Sequence, residues 1–200
     1  MVIECHCSDT LDTLYQDVLK ESCNSSFDNS LALARAQAEI MGDLFLNVAV
    51  LQTVISLLNS GVKVLFFYDF DFFNPNSWGP SLKLHFKEAA HTTDMAYVFG
   101  IGINYDFIFT PDDIKMLHQT TTLWTNFAKY GNTNGNESER FLASAWEPTT
   151  KENPERHLSL SLTPKMKSEF KDKRPLMFLK LRASKHNGDC QCRTQEDDRS

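Results

Sequence analysis

Apolar residues along this chain follow two different periods, and the switch between them predicts its architecture. From Leu31 the pattern is helical. Ile40, Leu44, Val48, Leu51, Ile55 and Leu58 recur at three- and four-residue steps, and Met41, Phe45 and Val54 widen the apolar face. Asn59-Ser60-Gly61 ends this helix, with Gly61 suited to the left-handed position after it. Then Val62, Val64, Leu65, Phe66, Phe67, Tyr68 and Phe70 make a nearly continuous apolar run. That run is expected to be a strand over 62–70 buried on both faces, as in a mostly parallel sheet flanked by helices. The stretch 74–80 reads as a loop.

A second helix is signalled by Thr110 as N-cap, Pro111 at the first helical position, and Asp112 and Asp113 at the positive end of the dipole. Ile114, Leu117, Leu123, Trp124 and Phe127 supply its expected buried face, and Gly131 terminates it before the polar loop 131–138. Leu158–Leu162 alternates apolar residues with Ser, as a half-exposed strand does. Thr163-Pro164 is expected to open a last helical stretch, interrupted by Pro175 before Leu176–Leu181. The pattern divides the chain into a poorly defined lead-in at 1–30, helical around 13–21, a folded region at 31–183, and a polar tail at 184–200 expected to be disordered. A strand buried on both faces needs neighbours to satisfy its backbone. The sequence offers few, which points to an incomplete domain.

Composition narrows the picture. With 200 residues, 42% apolar and 23% charged, the chain can bury a core and is not wholly disordered. A net charge of -6 and no basic stripe exclude nucleic acid as the main partner. Asn47, Gln52, Lys63, Asp69 and Asp71 interrupt the longest apolar runs, so no membrane span is expected. Residues 1–20 hold His6, Asp9, Asp12 and Asp17, unlike a signal peptide. The chain as written is expected in the cytoplasm; a longer N-terminus would permit a secreted or extracellular protein.

The five cysteines sit at positions 5, 7, 23, 190 and 192. An odd count with no internal pair does not read as a disulfide framework. Cys5-His6-Cys7 and Cys190-Gln191-Cys192 hold four thiolates that zinc would accept. Such sites usually have at least two residues between ligands, so solvated thiols are the plainer reading and no metal is expected.

The candidate chemistry centres on His91, in Ala89-Ala90-His91-Thr92-Thr93-Asp94-Met95-Ala96-Tyr97-Val98-Phe99-Gly100. This segment resembles the catalytic-histidine region of the type-B carboxylesterases, the family that includes the cholinesterases. Gly42-Asp43 opening a helix, the aromatic strand, Tyr97-Val98-Phe99-Gly100, the run Trp124-Thr125-Asn126-Phe127-Ala128-Lys129-Tyr130-Gly131-Asn132-Thr133-Asn134, Trp146-Glu147-Pro148 and Leu158–Leu162 are similar to that family in the expected order. The likeness covers roughly 42–181, and its nearest look is to invertebrate gut-type esterases. It implies class α/β: the C-terminal part of an α/β-hydrolase fold, with a truncated, mostly parallel sheet flanked by helices. It also implies hydrolysis of a small-molecule carboxylic ester through an acyl-serine intermediate, no cofactor, and His91 as the acid/base.

In that fold the nucleophile and the acid precede the histidine. No Gly-x-Ser-x-Gly occurs anywhere in the 200 residues. The chain alone is therefore expected to be inactive, as an incomplete gene model or a truncated product. Thr133 stands where the family has Pro, and Asp94 where it commonly has Glu. Asp94 is expected to fix the loop rather than serve as triad acid. Ser77 and Ser81 lack a strand-turn-helix context, and Gly131-Asn132-Thr133-Asn134-Gly135 has elbow spacing but follows a helix. His85, His118 and His157 read as surface or helix residues. Asn24-Ser25-Ser26 and Asn136-Glu137-Ser138 match the glycosylation pattern. The competing function is a non-catalytic binding or adhesion module derived from the esterase fold.

Overall fold

A computed structural model describes residues 3–7, 29–79, 83, 85–102, 106–136, 145–186 and 190–194. They fall into two compact units, Met1–Thr53 with Lys171–Ser200, and Val54–Phe170.

In the first unit, α1 (Asn29–Gly42) passes through a π-helical turn, Asp43–Asn47, into α2 (Val48–Asn59), whose residues from Val54 onward belong to the second unit. The buried Asp43 accepts hydrogen bonds from Arg174 Nε at 2.6 Å and Asn47 Nδ2 at 2.8 Å. Burial disfavours the Arg174 charge, but the hydrogen bond and charge of Asp43 outweigh it and raise its pKa. Arg174 opens α5 (Arg174–His186) after a turn at Lys171–Lys173 whose three residues have positive φ. Pro175 sits in the first turn of α5, where a missing N–H costs no helical bond. It begins this helix rather than interrupting one. β1 (Ile3–Cys7) pairs antiparallel with β5 (Cys190–Thr194), so short polar segments without an apolar period also form a ladder.

The run Ala34–Asn59 is long and apolar enough to cross a membrane, with a mean hydropathy of 1.7 over its most apolar 18 residues. This departs from the expectation drawn from its polar interruptions, because the helix continues through them. A core helix has the same composition, and Asp43 within this run is ion-paired with Arg174.

In the second unit, β2 (Tyr68–Phe70), β3 (His157–Leu160) and β4 (Lys165–Lys167) form a mixed sheet in the order β2-β3-β4. β2 and β3 are parallel, with Tyr68 opposite Leu158 and Phe70 opposite Leu160. β3 and β4 are antiparallel, with Leu158 opposite Met166. Three expectations change here. The 62–70 strand shortens to three residues because β3 offers only four, and Val62 and Val64 are exposed. β3 is buried at every position rather than half-exposed, because Leu158 and Leu160 enter the core on one face while Phe67 and Phe170 cover His157 on the other. The stretch after Pro164 returns as β4, because it can pair with β3, so no helix forms there.

The strand segment still covers both faces. Phe66, Tyr68 and Phe70 pack against the core formed by Phe72, Ala96, Tyr97, Met116, Leu123, Trp146, Leu158 and Leu160. On the other face, Phe67 meets Phe170 at 4.8 Å and His157 at 5.6 Å between ring centroids. Trp146 Nε1 donates to the Phe67 carbonyl at 3.2 Å. α4 (Pro111–Tyr130) buries Asp113, Met116, Gln119, Thr120, Leu123 and Asn126, while Ile114 and Phe127 are exposed. Its buried stripe is thus rotated from the expected one, because Asp113 is drawn inside.

Removing Asp43 takes away the buried acceptor of Arg174 and leaves it only Asp172 at 3.3 Å and Glu39 at 3.8 Å. Asp43→Ala is expected to lower the unfolding free energy by about 1–3 kcal/mol. The double variant Asp43→Leu/Arg174→Met should recover most of the loss. Urea denaturation of the two variants checks this, and equal losses would show that Asp172 and Glu39 suffice for the charge of Arg174.

Candidate functional site

After β2 the chain enters a loop whose anchors are polar and buried. Asn74 and Ser77 are nearly inaccessible, and Trp78 stacks on Phe73 at 5.4 Å. Gly79 has a φ of +68°, and a Cβ there would approach the Asp106 Cβ to 2.5 Å. Only glycine fits that contact.

His91 stands in a tight turn braced by Thr93. The Thr93 hydroxyl donates to the Ala90 carbonyl at 2.8 Å and accepts from the Ala90 N–H at 3.3 Å. The Thr93 N–H also donates to the Ala90 carbonyl, at 3.1 Å. Thr92 has a φ of 71°. For a β-branched residue that left-handed conformation is an outlier, and such strain concentrates at functional turns. Spacing and composition give no sign of it. The imidazole is exposed, and among the described residues no side chain hydrogen-bonds to it.

The residues after the turn lock it to the sheet. Asp94 Oδ2 accepts from the Tyr68 hydroxyl at 3.1 Å, which agrees with a loop-fixing role. Burial first, then the Asp94 charge and this hydrogen bond, raise the Tyr68 pKa. α3 (Met95–Phe99) follows and ends at Gly100, whose φ is 68°. Tyr97 stacks on Phe70 at 5.4 Å, and its hydroxyl donates to Asp113 Oδ1 at 2.7 Å.

Asp113 is the hub. Its Oδ2 accepts from Ser77 Oγ at 2.5 Å, Asn74 Nδ2 at 3.0 Å, Thr110 Oγ1 at 2.6 Å and the Thr110 N–H at 2.8 Å. Burial pushes its pKa up, but the hydrogen bonds from Ser77, Thr110 and Tyr97 outweigh that and hold it below the usual carboxylate value. The sequence places Asp113 only at a helix N-terminus, where its capping role is visible and its contacts with residues 74, 77 and 97 are not.

The other candidates sort clearly. Ser77 is consumed by Asp113, so it is a structural donor rather than a nucleophile. Ser81 lies outside the described residues. Thr133 is buried in the loop after α4, where Asn126 Nδ2 donates to its carbonyl at 3.3 Å. His85 and His118 are exposed. His157 is a buried strand residue instead, and its Nδ1–H donates to the Glu155 carbonyl at 2.8 Å. Burial lowers its pKa. Asn24-Ser25-Ser26 falls outside the described residues, as do Glu137 and Ser138. An open cleft of about 220 Å³ is lined by Phe66, Tyr68, Leu123, Trp124, Phe127, Thr133 and Trp146. Among the side chains described, no group of three or more His, Cys, Asp or Glu is placed to hold a metal.

Residues 4–178 match the Carboxylesterase family. The chain belongs to that family. It is 36% identical to Esterase cest-33 of Caenorhabditis elegans over 154 residues, which cover 76% of this chain and 27% of that protein. It is 33% identical to human Carboxylesterase 3 over 132 residues, covering 57% of this chain and 23% of the relative. The chain thus spans about a quarter of the length of these curated relatives. Among solved structures it is similar to Juvenile hormone esterase from Manduca sexta with OTFP covalently attached. That match has a TM-score of 0.56 and 20% identity, over 90% of this chain and 33% of that one. It is also similar to the Geobacillus stearothermophilus carboxylesterase EST55, with a TM-score of 0.57 and 17% identity, over 84% and 33% of the two chains. The fold is α/β-hydrolase, represented here by a small mixed sheet flanked by helices.

Two outcomes follow from this geometry. Thr92→Gly removes the left-handed penalty at some entropic cost and is expected to stabilise the fold by about 0.5–1 kcal/mol. Thermal melting measures it, and a loss would show that the turn needs the threonine side chain. The folded pKa of Asp113 is depressed, so its contribution is present above the unfolded carboxylate pKa of about 3.9 and is lost as pH falls through the folded value. Acid melting of Asp113→Asn should show lower stability at neutral pH, by about 1–3 kcal/mol, and a smaller further loss below pH ~4. An unchanged acid limb would place the acid sensitivity elsewhere.

Proposed function

We propose that this chain supplies the histidine-bearing part of a serine carboxylesterase that acts on small-molecule carboxylic esters. The observation that supports this most directly is the braced, strained turn that presents an exposed His91 within a carboxylesterase-family sequence. In this reading, His91 takes the proton from a serine hydroxyl as it attacks the ester carbonyl. It then returns the proton to the departing alcohol. The serine and the acid that orients the imidazole come from sequence outside these 200 residues, which contain no Gly-x-Ser-x-Gly. Asp94 and Thr93 position the turn and do not take part in proton transfer.

Hydrolysis of p-nitrophenyl acetate tests the proposal in two steps. The chain alone should act no faster than a free imidazole. Joined behind the N-terminal portion of Esterase cest-33, it should restore hydrolysis, and His91→Ala in that chimera should lower kcat/KM by about 10²–10⁴-fold. An active chimera indifferent to His91→Ala would overturn the role of His91. A chain that is soluble, monomeric and cooperatively folded alone, and adds no activity in the chimera, would favour the binding module.

A further inference from the structure

The Asn134 side chain takes the place of a facing strand residue. Its Oδ1 accepts from the Trp146 N–H at 2.7 Å, and its Nδ2 donates to the Trp146 carbonyl at 2.9 Å. An opposed residue in an antiparallel ladder would satisfy the same two groups. Asn132 backs this clasp. Its Oδ1 accepts from the Asn134 N–H at 3.0 Å and from Asn134 Nδ2 at 3.1 Å, and its carbonyl accepts from the Gly135 N–H at 3.1 Å. The clasp fixes Trp146, which is buried, donates through Nε1 to the Phe67 carbonyl and packs on Phe66, Tyr68 and Trp124.

The residue after Asn134 is a glycine. With no Cβ to shield it, a glycine nitrogen can reach the side-chain amide of the residue before it. In that reaction the Gly135 nitrogen bonds to the Asn134 Cγ and the bond from Cγ to Nδ2 breaks. The proton of the Gly135 N–H leaves with the amide nitrogen as ammonia. Water then opens the five-membered imide at either carbonyl, which leaves aspartate or isoaspartate. The folded loop opposes this at each atom. The Gly135 N–H is hydrogen-bonded, and both polar atoms of the Asn134 amide are held by Trp146. Gly135 has a φ of +70°, and a Cβ there would meet Asn126 Nδ2 at 2.9 Å, so the loop has little room to rearrange.

We propose that Asn134 is a latent deamidation site: folding suppresses the reaction, and its product dismantles the clasp on Trp146. After deamidation a carboxylate oxygen stands where Nδ2 was, opposite two acceptors, the Trp146 carbonyl and Asn132 Oδ1. A donor is lost and repulsion replaces it. Isoaspartate also lengthens the main chain by one carbon. The site thus converts a transient opening of the loop into a permanent loosening of Trp146, one wall of the aromatic cleft.

The full chain, incubated in mildly alkaline buffer and in urea, tests this by peptide mass spectrometry with isoaspartate detection. Asn187-Gly188 is the other Asn-Gly pair of the sequence and serves in urea as the reference for Asn134. The two should react at similar rates in urea, whereas Asn134 should react at least about tenfold more slowly in buffer than in urea. Asn132→Ala should speed the reaction of Asn134 in buffer by roughly tenfold. Equal rates for Asn134 in buffer and urea, or no acceleration in Asn132→Ala, would overturn the protection. Asn134→Asp reproduces the product and should lower the urea midpoint at neutral pH. Facing two acceptors, that carboxyl has a folded pKa raised above the unfolded value of about 3.9, so the deficit is present above the folded pKa and shrinks as acid restores a donor. An unchanged midpoint at neutral pH, or a deficit as large in acid, would overturn the effect on the clasp.

Discussion

Asp113 holds together the segment that carries His91. Its carboxylate collects hydrogen bonds from the loop after β2, from the N-terminus of α4 and from Tyr97 of α3. The same elements also meet through Tyr97 packing on Phe70 and Phe72 and through the Ile108 N–H donating to the Ser77 carbonyl. A buried carboxylate is costly unless its lone pairs are filled, and here charge-assisted bonds fill both oxygens. The turn bearing His91 lies between the loop and α3, so its position follows from theirs. The Tyr68–Asp94 bond adds a second tie, from β2 to the end of the turn. Together they can hold Thr92 in a conformation it would not adopt freely.

The sheet beneath this loop is small, and β3 is its centre. β3 pairs on both edges and is buried on both faces, so its polar residues need internal partners. Ser159 donates to Asp71, and His157 donates to the Glu155 carbonyl. Aromatic rings fill the remaining space, with Trp146 between Phe66 and Tyr68 and bonded to the backbone at Phe67. Phe66 and Phe70 pack on one face of this strand segment and Phe67 on the other. This is a recognisable piece of an α/β-hydrolase, matched over about a quarter of the curated relatives' length.

Much of the fold was legible because local chemistry and tertiary need agreed. Thr110, Pro111 and Gly131 bound α4 as their cap preferences require, and Gly131 has a φ of 64°. Gly61, after α2, has a φ of 91°. Legibility failed where the environment outweighed local pattern. Alternating Ser and Leu in β3 suggest one wet face, but side chains distant in sequence cover both. Pro175 looked like an interruption, yet in a first turn it is compatible with the helix. Ile114 and Phe127 looked internal, but α4 turned to bury Asp113. For the site, the candidate His91 and the place of Asp94 beside it are readable from motif order. Ser77 lacks the sequence context of a nucleophile, but only the fold shows that Asp113 occupies its hydroxyl.

By itself the sequence determined the helices, the aromatic strand, the family and the position of the candidate base, because these depend on residue type and spacing within short windows. Tertiary structure decided how much of the aromatic strand pairs, which face of α4 is buried, and that Thr92 is left-handed. It also decided that cysteines 185 or so residues apart lie opposite one another. Those outcomes depend on partners distant along the chain. A local period specifies an element, but only the hydrogen bonds and volumes available around it specify its extent and its neighbours.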